Sequence, residues 1–315
     1  MFMAIIEIKD LVKRYKDLVA VDHFDLTVNE GEVYGLLGPN GSGKTTVINC
    51  LLSLLRYDNG DVKIFGEEMA PSRYDIKRRI GLVMQNVGVY EELTVEGNID
   101  YFCGLYISDK KERKAYVDDA IAFVALEKFR KFRPKQLSGG LLRRLNLACG
   151  IAHKPDLIIL DEPTVAVDPQ SRNNILDGIR SLAAEGKTII YTTHYMEEVE
   201  LICDRLTIMD KGRELVTGSA DEIKGMSNHF ETVTAEIFEM PSDLLEKLES
   251  LADVSNVSYK ENTLTIQFNK GIDHLVNLMR TLESSEVEIL NLFVQKPTLN
   301  DVFLEITGKE LRDDV

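Results

Sequence analysis

Long apolar runs are missing from this chain of 315 residues. None approaches the ~18 residues that a membrane-spanning helix needs, so any membrane contact is expected to go through a partner. The cysteines are few and scattered. Cys50, Cys103, Cys149 and Cys203 form no C-x-x-C pair, which points to reduced, mostly buried thiols rather than disulfides or a metal site. Basic tracts are short, as in Lys110-Lys111 and Arg130-Lys131, and the net charge is −15. Such a field repels phosphate backbones and argues against nucleic acid as the main partner. At the N-terminus, Glu7 and Lys9 stand where a signal peptide would continue its apolar core, so a cytosolic chain is expected. With 44% hydrophobic and 28% charged residues, the composition is that of an ordinary soluble globular protein. Its length accommodates one large and one small domain.

What is present begins with Gly38-Pro39-Asn40-Gly41-Ser42-Gly43-Lys44-Thr45-Thr46. An apolar strand, Val33 to Leu37, precedes it and an apolar helical pattern to Leu52 follows. Strand, glycine-rich turn and helix is the context that makes G-x-x-x-x-G-K-[ST] a phosphate-binding loop. The glycines let backbone N–H groups turn inward around phosphates, above the positive end of the helix. Lys44 is expected to reach the β- and γ-phosphates of a nucleotide, Thr45 to hold Mg²⁺, and Thr46 to cap a phosphate oxygen.

Around this loop the chain alternates strands and helices. Ile5–Ile8 and Phe24–Val28 read as strands joined through a turn near Tyr15-Lys16-Asp17. Tyr15 is either a ring that stacks on a purine or a packed strand residue. Asp61–Gly66 reads as a hairpin element, Ser72–Arg79 as a basic helix, and Ile80–Met84 as a buried strand ending at Gln85. That glutamine either reaches a metal and its attacking water or merely opens a loop. Thr94 to Leu126 is helical, with Thr94 and Asp109 as N-caps. Irregular stretches, Asn86–Leu93 and Glu127–Leu137, flank it. Leu137-Ser138-Gly139-Gly140 then opens a helix that Pro155 is expected to end, and is either a second anion site or an ordinary helix start.

The apolar run Leu157–Leu160 delivers Asp161 and Glu162 at its carboxyl end, where ligands of parallel sheets sit. Asp161 is expected to bind Mg²⁺ and Glu162 to orient or deprotonate water. Lys187–Thr192 ends in Thr193-His194, and His194 is placed to hydrogen-bond a γ-phosphate or the attacking water. Tyr195–Ile202 and Arg205–Met209 complete the layer as helix and strand.

In that order, Gly38–Thr46, Gln85, Leu137–Gly140, Leu157–Pro163, Asp168 and His194 resemble the ATPase subunit of an ABC transporter. They match its Walker A, Q-loop, signature, Walker B, D-loop and H-loop, and span most of residues 4–220. The resemblance implies an α/β fold, a P-loop ABC ATPase core with mixed sheet and helical subdomain, binding ATP and Mg²⁺ through Thr45, Gln85 and Asp161. It implies a sandwich dimer, with a second copy or a homologue. Ser138 and Gly140, with Gly139 between them, would face the other subunit's γ-phosphate, and Asp168 would cross to the partner's site. Tyr15 matches the aromatic that stacks on adenine. The helical insertion would receive an integral membrane permease. Leu141 stands where the family commonly has glutamine, and Val167 where leucine is usual. Neither change removes a phosphate-contacting group, so activity is expected. The stretches Glu162–Arg172, Thr192–Val199 and Lys296–Asp313 further resemble the subfamily serving ABC-2 type exporters, including drug-resistance pumps.

Residues 1–225 are thus expected to form the ATPase domain, with its helical part at about 86–154, and 226–315 an accessory domain. Strands at Thr232–Phe238, Val254–Tyr259, Leu264–Phe268 and Val287–Val294 are expected. Ser242 caps one intervening helix, and a second carries Ile272, Leu275, Val276, Met279 and Leu282. The β-α-β-β-α-β order is that of a small α+β ferredoxin-like unit. Regulation, dimer support, permease contact or simple stabilisation all remain open for it. Asn269-Lys270-Gly271-Ile272-Asp273 resembles the guanine-reading N-K-x-D, but has a residue too many and reads as a loop into a helix.

The expected function is ATP hydrolysis on the cytoplasmic face of the membrane, energising export through a separate permease. The alternative is a non-transport ABC ATPase acting on ribosomes or DNA. One ATPase copy, an insertion of ordinary length and an acidic total weigh against it.

Overall fold

The computed structural model describes residues 4–308 apart from 228–230, 239, 242, 252, 270–273 and 286. The chain divides into two compact units, the first running to Ala220 and the second starting at Asp221.

The first unit opens with β1 (Ala4–Tyr15), β2 (Leu18–Asn29) and β3 (Val33–Leu37), then α1 (Lys44–Leu51). β4 (Asn59–Ile64), β5 (Glu67–Glu68), α2 (Tyr74–Lys77) and β6 (Ile80–Val83) follow. The helical insertion holds α3 (Val95–Gly104), α4 (Lys110–Phe123) and α5 (Gly139–Ile151). β7 (Leu157–Asp161), α6 (Pro169–Ala184), β8 (Thr188–Thr193), α7 (Met196–Ile202), β9 (Arg205–Asp210) and β10 (Arg213–Gly218) complete it. α8 (Ala220–Lys224) straddles the boundary.

One sheet is antiparallel, in the order β2-β1-β4-β5; the other has six strands, β10-β9-β3-β8-β7-β6. In the second, β9, β3, β8, β7 and β6 run parallel and β10 antiparallel. Its central strands are buried on both faces. Leu157 and Ile159 join the core shared with α1 and the antiparallel sheet, while Ile158 and Leu160 join the core shared with α3 to α6. That two-sided burial is why these strands are continuous apolar runs.

Several elements differ from their sequence-based expectation. β1 and β2 are twelve residues each, because register shifts between Ile8 and Leu11 and on to Arg14 carry pairing past the point where alternation breaks. The basic helix expected over 72–79 is only α2. The Arg79 carbonyl accepts from Asp156 and Leu157 N–H groups at 2.9 and 3.1 Å, so the chain leaves helical geometry to start the β6–β7 pairing. α5 stops at Ile151, well before Pro155. Both expected caps are present: Thr94 Oγ1 accepts from Gly97 N at 3.0 Å, and Asp109 Oδ1 from Lys111 and Glu112 N–H groups.

The second unit comprises β11 (Glu231–Ile237), α9 (Leu244–Glu249), β12 (Val254–Lys260), β13 (Thr263–Phe268), α10 (His274–Ser284), β14 (Ile289–Gln295) and α11 (Leu299–Thr307). Its antiparallel sheet runs β12-β13-β11-β14, the ferredoxin-like arrangement. Glu261 and Asn262 both take positive φ, 50° and 64°, as a two-residue hairpin turn requires. The buried stripe of α10 includes Leu278 and Leu282, whereas Val276 and Met279 are exposed; Ile272 and the Ser242 cap lie outside the described residues, as does most of the N-K-x-D-like string. The C-terminal helix α11 starts with a capping box in which Thr298 and Asp301 satisfy each other's N–H groups.

Cys50, Cys103 and Cys149 are buried and all four cysteines are free thiols. Burial pushes Cys50 and Cys103 up to about 11 and Cys149 higher still. These three thiols should therefore stay silent to a disulfide reagent at pH 8 in the native protein and react once it is denatured. Rapid native reaction of more than Cys203 would contradict this packing.

Candidate active site

Strand register builds the site. Val83 lies opposite Leu160, Asp161 opposite Thr192, and Leu37 opposite Thr193. The carboxyl ends of β6, β7, β8 and β3 therefore finish at one level, and Gln85, Glu162, His194 and the loop after Leu37 emerge together.

Gly41 and Gly43 carry φ of 79° and 110°, the left-handed region that glycine enters without penalty. Gly43 also has no room for a Cβ, which would meet Ala20 O at 2.7 Å. Lys44 is the first residue of α1 and is buried; its Nζ donates to Gly38 O at 2.7 Å and Pro39 O at 3.2 Å. The same ammonium lies 3.1 Å from Glu162 Oε1. Glu162 Oε2 in turn lies 3.0 Å from His194 Nδ1. Burial would push the Glu162 carboxyl up, but the hydrogen bond with His194 and the Lys44 ammonium outweigh it and hold the group below its ordinary value. Thr45 Oγ1 donates to Asp161 Oδ2 at 2.9 Å, and Asp161 is fully buried.

A cavity of about 420 Å³ opens beside these groups. Tyr15, Asn40, Gly41, Gly43 to Thr46, Gln85 and Glu162 all line it. Tyr15 stands at the end of β1 and is 45% exposed. The Ser42 hydroxyl is buried with no hydrogen-bond partner among the described residues, which suits an additional acceptor group in the loop.

Ser138, Gly139 and Gly140 are not part of that cavity wall. Ser138 caps α5, accepting from Leu141 N at 3.4 Å. Gly140 abuts the start of α6: a Cβ there would clash with Ser171 Oγ and meet Asp168 Oδ2 at 2.9 Å. Asp168 caps α6 through Ser171 N at 2.9 Å, and that N–H holds its carboxylate below the ordinary range. The expected site residues thus fall into two groups on one unit, one around Lys44 and one around Asp168.

Comparison with known proteins decides what this arrangement is. The profile described as ABC transporter matches residues 21–165, and that of the C-terminal domain of DrrA1-3-like ATP-binding proteins matches 218–307. The linearmycin resistance ATP-binding protein LnrL of Bacillus subtilis (strain 168) is 33% identical over 98% of this chain and 100% of its own length. The chain belongs to the ABC transporter ATP-binding proteins. The Nod factor export ATP-binding protein I of Burkholderia orbicola (strain AU 1054) is 34% identical over 99% of this chain and 100% of its own length. A solved dimeric ATP-binding cassette, in a post-hydrolysis state with ADP and Pi, superposes with a TM-score of 0.63 at 25% identity, covering 68% of this chain and 98% of that one. The ribosome or DNA alternative finds no support in these relatives.

In this ABC ATPase, the two departures from the family pattern have a packing reason. Leu141 and Val167 both lie against the core formed with the helical insertion. Sequence reasoning missed several supporting residues. Thr192 Oγ1 donates to Asp161 Oδ1 at 2.6 Å, and Glu162 N donates to the same hydroxyl at 3.0 Å. Arg143 donates to the Gln85 carbonyl, and Asn146 bridges Met84 O and Gly88 N at 3.2 and 3.1 Å, tying the loop after β6 to α5. Only the pair Thr192-Thr193, beside the histidine at a strand end, offered a signal in the sequence. No helix among the described residues is long and apolar enough to cross a membrane.

Proposed function

We propose that this ATPase energises export through a separate ABC-2 type permease, and that its hydrolytic site is completed by a second ATPase subunit. The observation that carries the reading is the split just described. Lys44, Thr45 and Glu162 line one cavity, with Asp161 and His194 bonded to Thr45 and Glu162 behind them, whereas Gly140, next to Ser138 in the chain, abuts Asp168 away from that wall. Each chain would lend Ser138 and Gly140 to its partner's γ-phosphate.

Within one site, Lys44 and the loop N–H groups neutralise the β- and γ-phosphates, and Ser42 supplies a hydroxyl. Thr45, Asp161 and Gln85 offer oxygen donors only, a set that fits Mg²⁺; that ion would supply charge neutralisation across the phosphates. Glu162, ionised at neutral pH, orients and deprotonates the attacking water. His194 is held against Glu162 and faces the same phosphate. Tyr15 stacks on adenine. Replacing Tyr15 with alanine should weaken ATP binding about tenfold, since base–aromatic stacking contributes about 1–3 kcal/mol. Tyr15→Phe should retain wild-type affinity, and titration calorimetry distinguishes the two. Equal affinity in all three proteins would remove Tyr15 from the site.

Export rather than import is supported by relatives named for resistance and for export. The chain would sit on the cytoplasmic face of the membrane, held by the permease against the helical insertion. Affinity purification of the full chain from gently solubilised membranes tests this. Recovery of a polytopic permease is expected; recovery of ribosomes or DNA instead would overturn it.

A further inference from the structure

Glu198 lies in the first turn of α7 with its carboxylate fully buried. A buried charge is costly unless its surroundings neutralise and hydrogen-bond it. Here Oε2 accepts from the Tyr191 hydroxyl at 2.6 Å and the Thr193 hydroxyl at 2.7 Å, and Oε1 lies 2.6 Å from Arg172 Nε. Each partner belongs to a different part of the site. Thr193 ends β8 immediately before His194, and its hydroxyl also accepts from Tyr195 N at 3.0 Å. The Tyr191 hydroxyl lies 3.3 Å from Thr164 Oγ1, in the turn behind Glu162. Arg172 stands in the first turn of α6, where its N–H donates to Asp168 O at 2.9 Å and its guanidinium covers the Tyr195 ring at 4.7 Å.

Well-packed apolar residues often stabilise a core as well as an ion pair does. Two hydroxyl bonds at Oε2 and a close ion pair with Arg172 at Oε1, the latter without hydrogen-bond geometry, gather three segments on one carboxylate, which apolar packing does not. We propose that Glu198 is a positioning residue that locks the Asp168 helix start to the strand end bearing His194. Contact made by a partner subunit at Asp168 then sets the placement of His194 and Glu162. This rests on the reading of the chain as a dimeric ATPase.

Glu198→Gln keeps the side-chain volume and an oxygen for the two hydroxyls while removing the charge that faces Arg172. In the full chain it should lower kcat about tenfold and leave the Kd for ATP within about twofold of wild type, the pattern of a group felt in the transition state alone. Asp168→Asn should also lower kcat. The double variant should fall no further than the weaker of the two singles, because groups acting as one unit are not additive. Arg172→Gln, which cuts the same link from a side chain 30% exposed, replaces Glu198→Gln in the cycle should that variant not fold. Unchanged kcat per folded molecule, or fully additive effects with Asp168→Asn, overturns the proposal. ATP-dependent dimerisation of Glu162→Gln reports on the underlying reading separately. Its failure would bring down the dimeric ATPase, whereas its success beside an additive cycle would bring down the Glu198 link alone.

Discussion

Changing Glu162 to glutamine is expected to lower ATP turnover by roughly 10²–10⁴-fold, the range for removing a general base, while ATP still binds. The protein should then persist as an ATP-bound dimer. The substitution is close to isosteric, and the backbone there already takes a left-handed φ of 49°, so the strand end itself need not move. What is lost is charge. Glu162 is 4% exposed and bridges Lys44 Nζ and His194 Nδ1, and an amide cannot take a proton from water. Single-turnover hydrolysis and light scattering with and without ATP check both halves. A variant that remains monomeric with ATP and turns over normally would sink the assignment. The pH behaviour follows from the depressed carboxyl. Its folded pKa lies below the ordinary value of 4.5, so its contribution to stability is fully present above that value and lost as pH falls through the folded one. Wild type should therefore lose stability on acidification by more than Glu162→Gln does.

Lys44→Ala should weaken ATP binding at least about 100-fold, about 2.8 kcal/mol at 1.4 kcal/mol per decade. In the proposed role its buried ammonium would be a charge-assisted donor to phosphate that alanine cannot replace. It also holds the loop, through Gly38 O and Pro39 O. Wild type should melt at higher temperature with ATP present, by linkage, and the variant should show no such rise. Unchanged affinity would remove the loop from the site.

Much of this site is legible in the sequence because its parts are local. The phosphate loop lies between one strand and one helix, and Asp161-Glu162 closes an apolar run, so short windows contain each signal. The residues that support them are not local. Thr192 reaches Asp161 only through the parallel register of β7 and β8, which no single window encodes. Glu198 stands in Tyr195-Met196-Glu197-Glu198-Val199-Glu200, which reads as a solvated helix start until Arg172 and two strand-end hydroxyls are brought around it. The fold shows the same division. Buried parallel strands announce themselves through continuous apolar residues. β1 and β2 do not, because their register shifts interrupt alternation, and α10 misleads because Val276 is apolar yet exposed.

The Lys44–Glu162 contact has a consequence for timing. While the ammonium pairs with the carboxylate, it depresses the basicity of the group assigned to activate water. Phosphate oxygens bound at Lys44, as proposed, would compete for that cation and add negative charge nearby. Both effects raise the proton affinity of Glu162, and its burial favours the same direction. On the proposed assignment of Glu162 as the base, ATP would strengthen the group that takes a proton from water, and the site without ATP would keep that group muted.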